Sequence, residues 1–314
     1  MYNAYMEILQ SLFILLILMG VGVLSRRLSI FQKSDVKVIS SFVYHFSLPA
    51  LFLAKISQID FSQLDPVLLW GSVVPILLIW IVLIFAYILN AINRDTFILL
   101  SLSIVMGSNA FFGLAFFEFF QNGLHYNSSV IAASVLGAIG IFLSLLMFEF
   151  SQGNMSIGKI FRNLRKNPLL ISIFVGLFFS IIGFRESFLH SAFEMLGNAS
   201  GSIAVFSLGI FLYDSFSLDK AKLAMFYSLF RFISLAVGVV LSLLFLKVFY
   251  SEGFLFDMQQ FLLLQAAIPA AVSLVIFAER YQYKVSEITG IVILTSVLSF
   301  VFILLNYVLS FVIF

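Results

Sequence analysis

The sequence predicts an all-α polytopic membrane protein: ten transmembrane helices as two inverted five-helix repeats, with helices 4 and 9 broken and crossing. Three observations lead there. Of 314 residues, 62% are hydrophobic and 10% charged, with a mean hydropathy of +1.14, whereas soluble domains carry about 25% charged residues. Loops rich and poor in Lys and Arg alternate along the chain. Two apolar segments are interrupted at mid-length, by residues 107–113 (GSNAFFG) and 265–271 (QAAIPAA).

Apolar runs bounded by polar clusters place the spans at about 4–24, 36–54, 67–89, 97–120, 128–150, 168–184, 191–213, 223–247, 259–279 and 287–313. A β-barrel would alternate apolar and polar residues and lack such runs. The first run has no Lys or Arg before it and no small-residue cleavage site after it. It is expected to be a retained span and not a signal peptide. One set of loops holds Arg26, Arg27, Lys33, Lys37, Arg94, Lys159, Arg162, Arg165, Lys166, Lys220, Lys222, Arg280 and Lys284. The alternate set holds Lys55, Arg185 and Lys247. Thirteen against three is a positive-inside bias that puts both termini on the outer side.

Five spans then start outside and five start inside, so the halves are inverted relative to each other. Residues 1–150 form the first repeat, 151–166 a cytoplasmic linker and 167–314 the second repeat. Within the linker, Ile157, Ile160, Phe161 and Leu164 share one helical side, with Lys159, Arg162, Arg165 and Lys166 elsewhere. That pattern suits a short interfacial helix.

The two interruptions fall in the fourth span of one half and its counterpart, the ninth, in the other. A free backbone N–H or C=O at membrane depth costs several kcal/mol unless protein or a lined cavity satisfies it. Carriers turn such breaks toward a bound solute or ion. Gly107 and Gly113 permit unusual backbone, and Asn109, beside Ser108, offers donor and acceptor together. Pro269 removes an N–H and is expected to free the carbonyl of Gln265 from its helix bond. The pairs Ala266-Ala267 and Ala270-Ala271 leave room for another backbone. Taken singly, a tightly packed glycine helix or an ordinary proline kink explains each break; the pair points to two discontinuous helices that cross.

Arg231 is the cation well inside a span, on a stripe with Ser228, Ser234, Gly238 and Ser242. It must face protein or a water-filled cavity. There it anchors an anionic substrate, anchors the carbonyl ends of a broken helix, is a structural cation satisfied by its neighbours, or snorkels to the cytoplasmic side two turns away. Ala133, Gly137, Gly140 and Ser144 in the fifth span read as a tight-packing face. Asn198, Ser202, Val205 and Gly209 do likewise in the seventh, with Asn198 within reach of a cavity. Thr289, Ser296, Ser299 and Asn306 form a polar seam on the tenth, with Ser296 a candidate accessory residue. His45 reads as a hydrogen-bonded packing residue. Glu118, Glu149 and Glu194 sit near span ends, as ligands of a coupling ion or proton or as solvated end residues.

Zero cysteines exclude disulfides and thiolate chemistry. Enzyme motifs are absent from the sequence, so neither catalysis, a metal nor a cofactor is expected. The net charge of +2 gives no reason to expect a nucleic acid partner; the expected partner is the lipid bilayer.

The chain resembles the auxin efflux carrier (AEC) family, which includes plant PIN-type carriers and bacterial malate-permease-like transporters. The resemblance runs over essentially the whole chain. It rests on Gly20-Val21-Gly22 with Arg26-Arg27, Phe42-Val43 with Ser47-Leu48-Pro49-Ala50-Leu51, Asn109 with Gly113, and Lys166-Asn167-Pro168 with Gly176. It continues through Leu196-Gly197-Asn198-Ala199-Ser200, Leu208-Gly209, Arg231, Ala267-Ile268-Pro269-Ala270 with Ala278 and Tyr281, and Thr295-Ser296-Val297-Leu298-Ser299. It implies a fold shared with bile-acid/sodium symporter relatives. Spans one, two, six and seven would be a scaffold, and three to five with eight to ten a mobile transport domain. It further implies elevator-type transport of a small organic anion, malate-like or auxin-like, homodimers, and for the bacterial branch the inner (plasma) membrane. The family usually places a proline shortly after the glycine of the fourth-span motif; this chain has Leu114-Ala115 there.

The expectation is therefore a secondary carrier. Ser108, Asn109, Gly113, Gln265, Ala267 and Pro269 would form the substrate site. Arg231 would offset the anion's charge or brace the broken helices. Na+ or H+ coupling stays open, with Asn198, Ser202, Ser296 and Glu118 as accessory candidates. A receptor or sensor that binds such an anion without moving it is the alternative. A channel would want a ring of like polar residues, which the sequence does not offer.

Overall fold

A computed structural model describes residues 2–58, 65–153, 158, 162, 165–183, 188–215, 221–249 and 252–312. The described chain is all-α. In order it forms α1 (Tyr2–Arg27), α2 (Lys33–Phe42), α3 (Leu48–Ile56), α4 (Pro66–Ile88), α5 (Arg94–Val105), α6 (Leu114–Phe119) and α7 (Tyr126–Ser151). There follow α8 (Pro168–Ile181), α9 (Phe188–Asn198), α10 (Ser200–Ser215), α11 (Ala221–Leu246), α12 (Glu252–Ala266), α13 (Ser273–Tyr281) and α14 (Val285–Leu309).

Among the described residues, five stretches are continuous helices long and apolar enough to cross a membrane: Ser34–Ile56, Pro66–Ile88, Tyr126–Ser151, Lys222–Leu246 and Val285–Leu309. They are the second, third, fifth, eighth and tenth expected spans. The fourth and ninth are each two shorter helices, because the chain leaves helical geometry at residues 106–108 and 267–272. The seventh is divided at Ala199 into α9 and α10. The second is continuous but carries a π-helical turn, Val43–Ser47. Of the linker's expected interfacial helix, Ile157, Lys159, Ile160, Phe161 and Leu164 lie outside the described residues.

The chain divides into two compact units: 1–64, 109–138 and 161–216 form the first, and 65–108, 139–160 and 217–314 the second. In the first unit, helices meet where a side chain is missing. A Cβ on Gly22 of α1 would lie 2.1 Å from the Phe206 carbonyl oxygen, and one on Gly209 of α10 would lie 2.0 Å from that of Met19. Small residues let these backbones touch, which is how helices associate in lipid, where no hydrophobic force drives them together. Gly197 of α9 packs in the same way on Leu51 of α3, and Gly176 of α8 on Ile56. Ser47 Oγ donates to the Leu196 carbonyl at 2.8 Å, and Lys55 pairs with Glu194 at 2.8 Å. Asn167 caps α8 by accepting from the Leu169 N–H at 3.0 Å, and Pro168 follows at the first turn. There its missing N–H costs nothing.

The second unit is built around the breaks. Gly238 of α11 admits Pro75 of α4, whose Cβ would lie 3.1 Å from a Cβ at 238. Gly140 of α7 lies against the end of α5, where a Cβ would come within 2.6 Å of the Val105 carbonyl oxygen. Gly137, expected on the same packing face, has open space beside it.

Candidate functional site: a backbone crossing held by a buried arginine

Two short extended segments meet in the second unit. Gly107 and Ala270 form an antiparallel bridge. The Ser108 N–H donates to the Pro269 carbonyl at 2.8 Å, and the Ala271 N–H to the Met106 carbonyl at 3.0 Å. The Ala270 N–H donates to Thr295 Oγ1 of α14 at 3.1 Å, and that hydroxyl donates to the Ile291 carbonyl at 2.8 Å. Each break thus satisfies backbone groups that the other leaves without helical partners, which answers the cost of free polar groups at this depth.

Arg231 of α11 completes the arrangement. It is 2% exposed. Nε donates to the Ile268 carbonyl at 3.2 Å, and Nη2 to Ile268 at 2.9 Å and Pro269 at 3.5 Å. Nη1 donates to the Ser103 carbonyl and to that of Ile104, the latter at 3.3 Å. A guanidinium has five N–H donors, and these contacts use all of them. Ser103 and Ile104 lie in the last turn of α5, whose carbonyls lack helical partners because the chain breaks. Ile268 and Pro269 follow the end of α12. Of the roles expected for Arg231, the geometry supports bracing; no donor is left to point at an anion.

The Gln265 carbonyl has no helix bond, since Pro269 lacks an N–H, and accepts the Ile268 N–H at 3.1 Å in a tight closing turn instead. The carbonyls of Ile268 and Pro269 go to Arg231. The Gln265 side chain is also engaged, accepting from Ser72 Oγ of α4 at 2.9 Å. Gly113 does not form the break. Helix resumes as a π-helical turn, Asn109–Gly113, and Gly113 has φ −63 and ψ −49, a conformation open to any residue. Leu114 and Ala115, where the resemblance leads one to expect a proline, lie in α6. The extended crossing forms several residues earlier and does not need one.

Asn109 directly follows Ser108 in the chain and opens the π-helical turn. Its side chain is buried, and among the described residues its amide takes no hydrogen bond. Ala267 is fully buried, with its N–H donating to the Leu264 carbonyl at 3.1 Å. Ser296 is turned back onto its own helix, donating to the Val292 carbonyl at 2.7 Å. Asn198 and Glu118 are exposed and Ser202 half-buried, all three in the first unit. His45 Nδ1 lies 2.9 Å from the Ser41 carbonyl oxygen and 3.2 Å from the Ser41 hydroxyl, one turn back in the chain. Thr295 and Ser72 were not among the expected site residues. Thr295 lies four positions before Ser299 on the tenth span, and that spacing was the available signal.

α12 is also held close to the break, where Asn306 Nδ2 donates to the Leu263 carbonyl at 2.7 Å, and α13 is held at its far end. The Tyr281 hydroxyl donates to Glu149 Oε1 at 3.0 Å, and its ring stacks on Phe148. Past α13, Tyr283 donates to Asp95 Oδ1 at 2.9 Å and Lys284 pairs with Asp95 Oδ2 at 3.1 Å. The hydrogen bond from Lys284, then that from Tyr283, holds the Asp95 carboxyl below its usual value. The Lys284 ammonium is raised by its hydrogen bond to Asp95, and the Tyr283 phenol is raised by burial and then by Asp95. Asp95 therefore stabilises the fold above its unfolded value of about 3.9, and that contribution is lost as pH falls through the lower folded value. Lys284 and Tyr283 contribute below their unfolded values of about 10.4 and about 10, and lose that contribution as pH rises through the raised ones. The Lys284–Asp95 pair is half-exposed, so its worth is under about 1 kcal/mol. Asp95→Asn is expected to lower the unfolding midpoint slightly between about pH 5 and 9. That difference should close at the acid end; a gap that persists at pH 2 would show that the carboxylate is not its source.

The membrane transport protein family matches residues 7–307 of the chain. No curated protein matches it.

Proposed function

We propose that this chain, which belongs to the membrane transport protein family, is a secondary carrier of a small organic anion. Membership establishes a transporter in a membrane and agrees, at the level of the family, with the resemblance to auxin efflux carriers. The substrate class, the site and the motion are the proposal. The observation that supports the site is the Asn109 amide, which takes no hydrogen bond among the described residues and opens the turn that directly follows the fourth-span break in the chain.

An amide that spends neither its donors nor its acceptor on the described residues has both available to a ligand. A carboxylate accepts from the amide NH2 of Asn109, and it is favoured where the second half-helices begin, since a helix N-terminus carries about +0.5 charge. Gly113, helical and without a side chain, keeps the turn after Asn109 narrow. Ala267 and Pro269 shape the other side of the crossing, and Ser108 fixes its register. The ten spans are read as two inverted five-helix repeats with both termini outside. Transport is of the elevator type, with spans three to five and eight to ten as the moving domain, in a homodimer. Asn198, Ser202, Ser296 and Glu118 remain accessory candidates.

A thermal-unfolding screen of detergent-purified protein against mono- and dicarboxylates, followed by uptake into proteoliposomes, tests the reading. A ligand at a hundredfold excess over its Kd stabilises the folded state by about 2.7 kcal/mol. A carboxylate-specific rise in midpoint with uptake of the same compound is expected. Binding without flux would favour a receptor, and neither binding nor flux would remove the organic anion from consideration.

A further inference from the structure

Arg231 carries a full positive charge, 2% exposed, and among the described residues no carboxylate pairs with it. Its partners are the four carbonyls of Ser103, Ile104, Ile268 and Pro269. A buried cation is costly unless opposite charge compensates it. Here the ends of α5 and α12 converge on it, and each helix C-terminus is equivalent to about −0.5 charge. Two such ends balance one guanidinium.

Unwound carbonyls and half-helix C-termini are also the groups that bind a free sodium ion in carriers with broken helices. We infer that Arg231 is a tethered cation that takes the place of a mobile coupling cation at the crossing. The carbonyl set is filled permanently, so this chain binds no sodium ion there. A substrate anion then crosses without a sodium partner. The coupling consequence rests on the carrier reading; the occupied cation site does not.

The test needs no substrate. Unfolding midpoints of purified protein are compared in sodium, potassium and N-methyl-D-glucamine chloride at equal ionic strength. The wild-type midpoint is expected to be the same in all three. Arg231→Ala is expected to unfold at a lower temperature and to be raised by several degrees with millimolar methylguanidinium or sodium, which enter the vacated carbonyl set. A saturable, sodium-specific rise in the wild type would overturn the inference, as would an alanine variant that neither cation raises. If the alanine variant does not fold, Arg231→Lys retains a cation with three donors in place of five. It is expected to melt lower and still ignore sodium, and a sodium response in it would also overturn the inference. Because the readout is unfolding and not uptake, a failed carboxylate screen leaves this result standing, and the reverse holds too.

Discussion

Asn109→Ala is expected to abolish carboxylate uptake while leaving the unfolding midpoint nearly unchanged. The second half follows from the partners in the folded state. The Asn109 amide takes no hydrogen bond among the described residues, so its removal strands no polar group among them; most costly polar substitutions leave a partner unsatisfied. The first half follows from what else the crossing can offer. Arg231 spends its five donors on carbonyls, Gln265 is tied to Ser72, and the Ala270 N–H is tied to Thr295. A hydrogen bond to a charged group contributes about 1.5–3 kcal/mol, so losing two from the bound carboxylate lowers uptake by at least about a hundredfold. Asn109→Asp should fail as well, since a carboxylate there repels an anion. Uptake by Asn109→Ala at the wild-type rate, measured in proteoliposomes of equal protein content, would remove Asn109 from the site.

Gly22→Leu is expected to leave little folded protein, whereas Gly20→Leu, two positions away on the same helix, is expected to behave as wild type. A Cβ at residue 22 would lie 2.1 Å from the Phe206 carbonyl oxygen and 3.1 Å from Gly209 Cα; nothing lies within 4 Å of a Cβ at residue 20. The obstacle at 22 is backbone, which cannot rotate aside, so α1 and α10 must separate. Overpacking a close contact usually costs about 1–3 kcal/mol, and a leucine adds three further carbons beyond a Cβ that already does not fit. Size-exclusion profiles of the two variants in mild detergent separate the cases. Equal profiles would mean that α1 and α10 do not meet through these glycines.

Composition and the distribution of Lys and Arg were enough to predict a helical membrane protein. The reason is physical: in lipid each helix satisfies its own backbone, so a span shows itself as a local run of apolar residues. The positions of the two breaks were also local information. Gly107 and Pro269 announced them, and 106–108 and 267–272 are where the chain leaves the helix. Close contacts at Gly140 and Gly209 were legible from their stripes, while Gly137, on the same stripe as Gly140, faces open space. A stripe marks a face of a helix and does not say what lies opposite.

What the sequence by itself determined was the class of protein and the two places where helix would fail. Only the tertiary structure decided what became of the groups those failures released. It gave the Ile268 and Pro269 carbonyls to Arg231, 37 and 38 positions earlier in the chain, and the Ala270 N–H to Thr295, 25 positions later. It kept the Gln265 carbonyl within its own turn and made Gly113 an ordinary helical residue. A broken helix is written in the few residues that cannot continue it, but its freed hydrogen bonds are satisfied by whichever donors the fold brings near. Those donors come from other helices, at separations that carry no local signal.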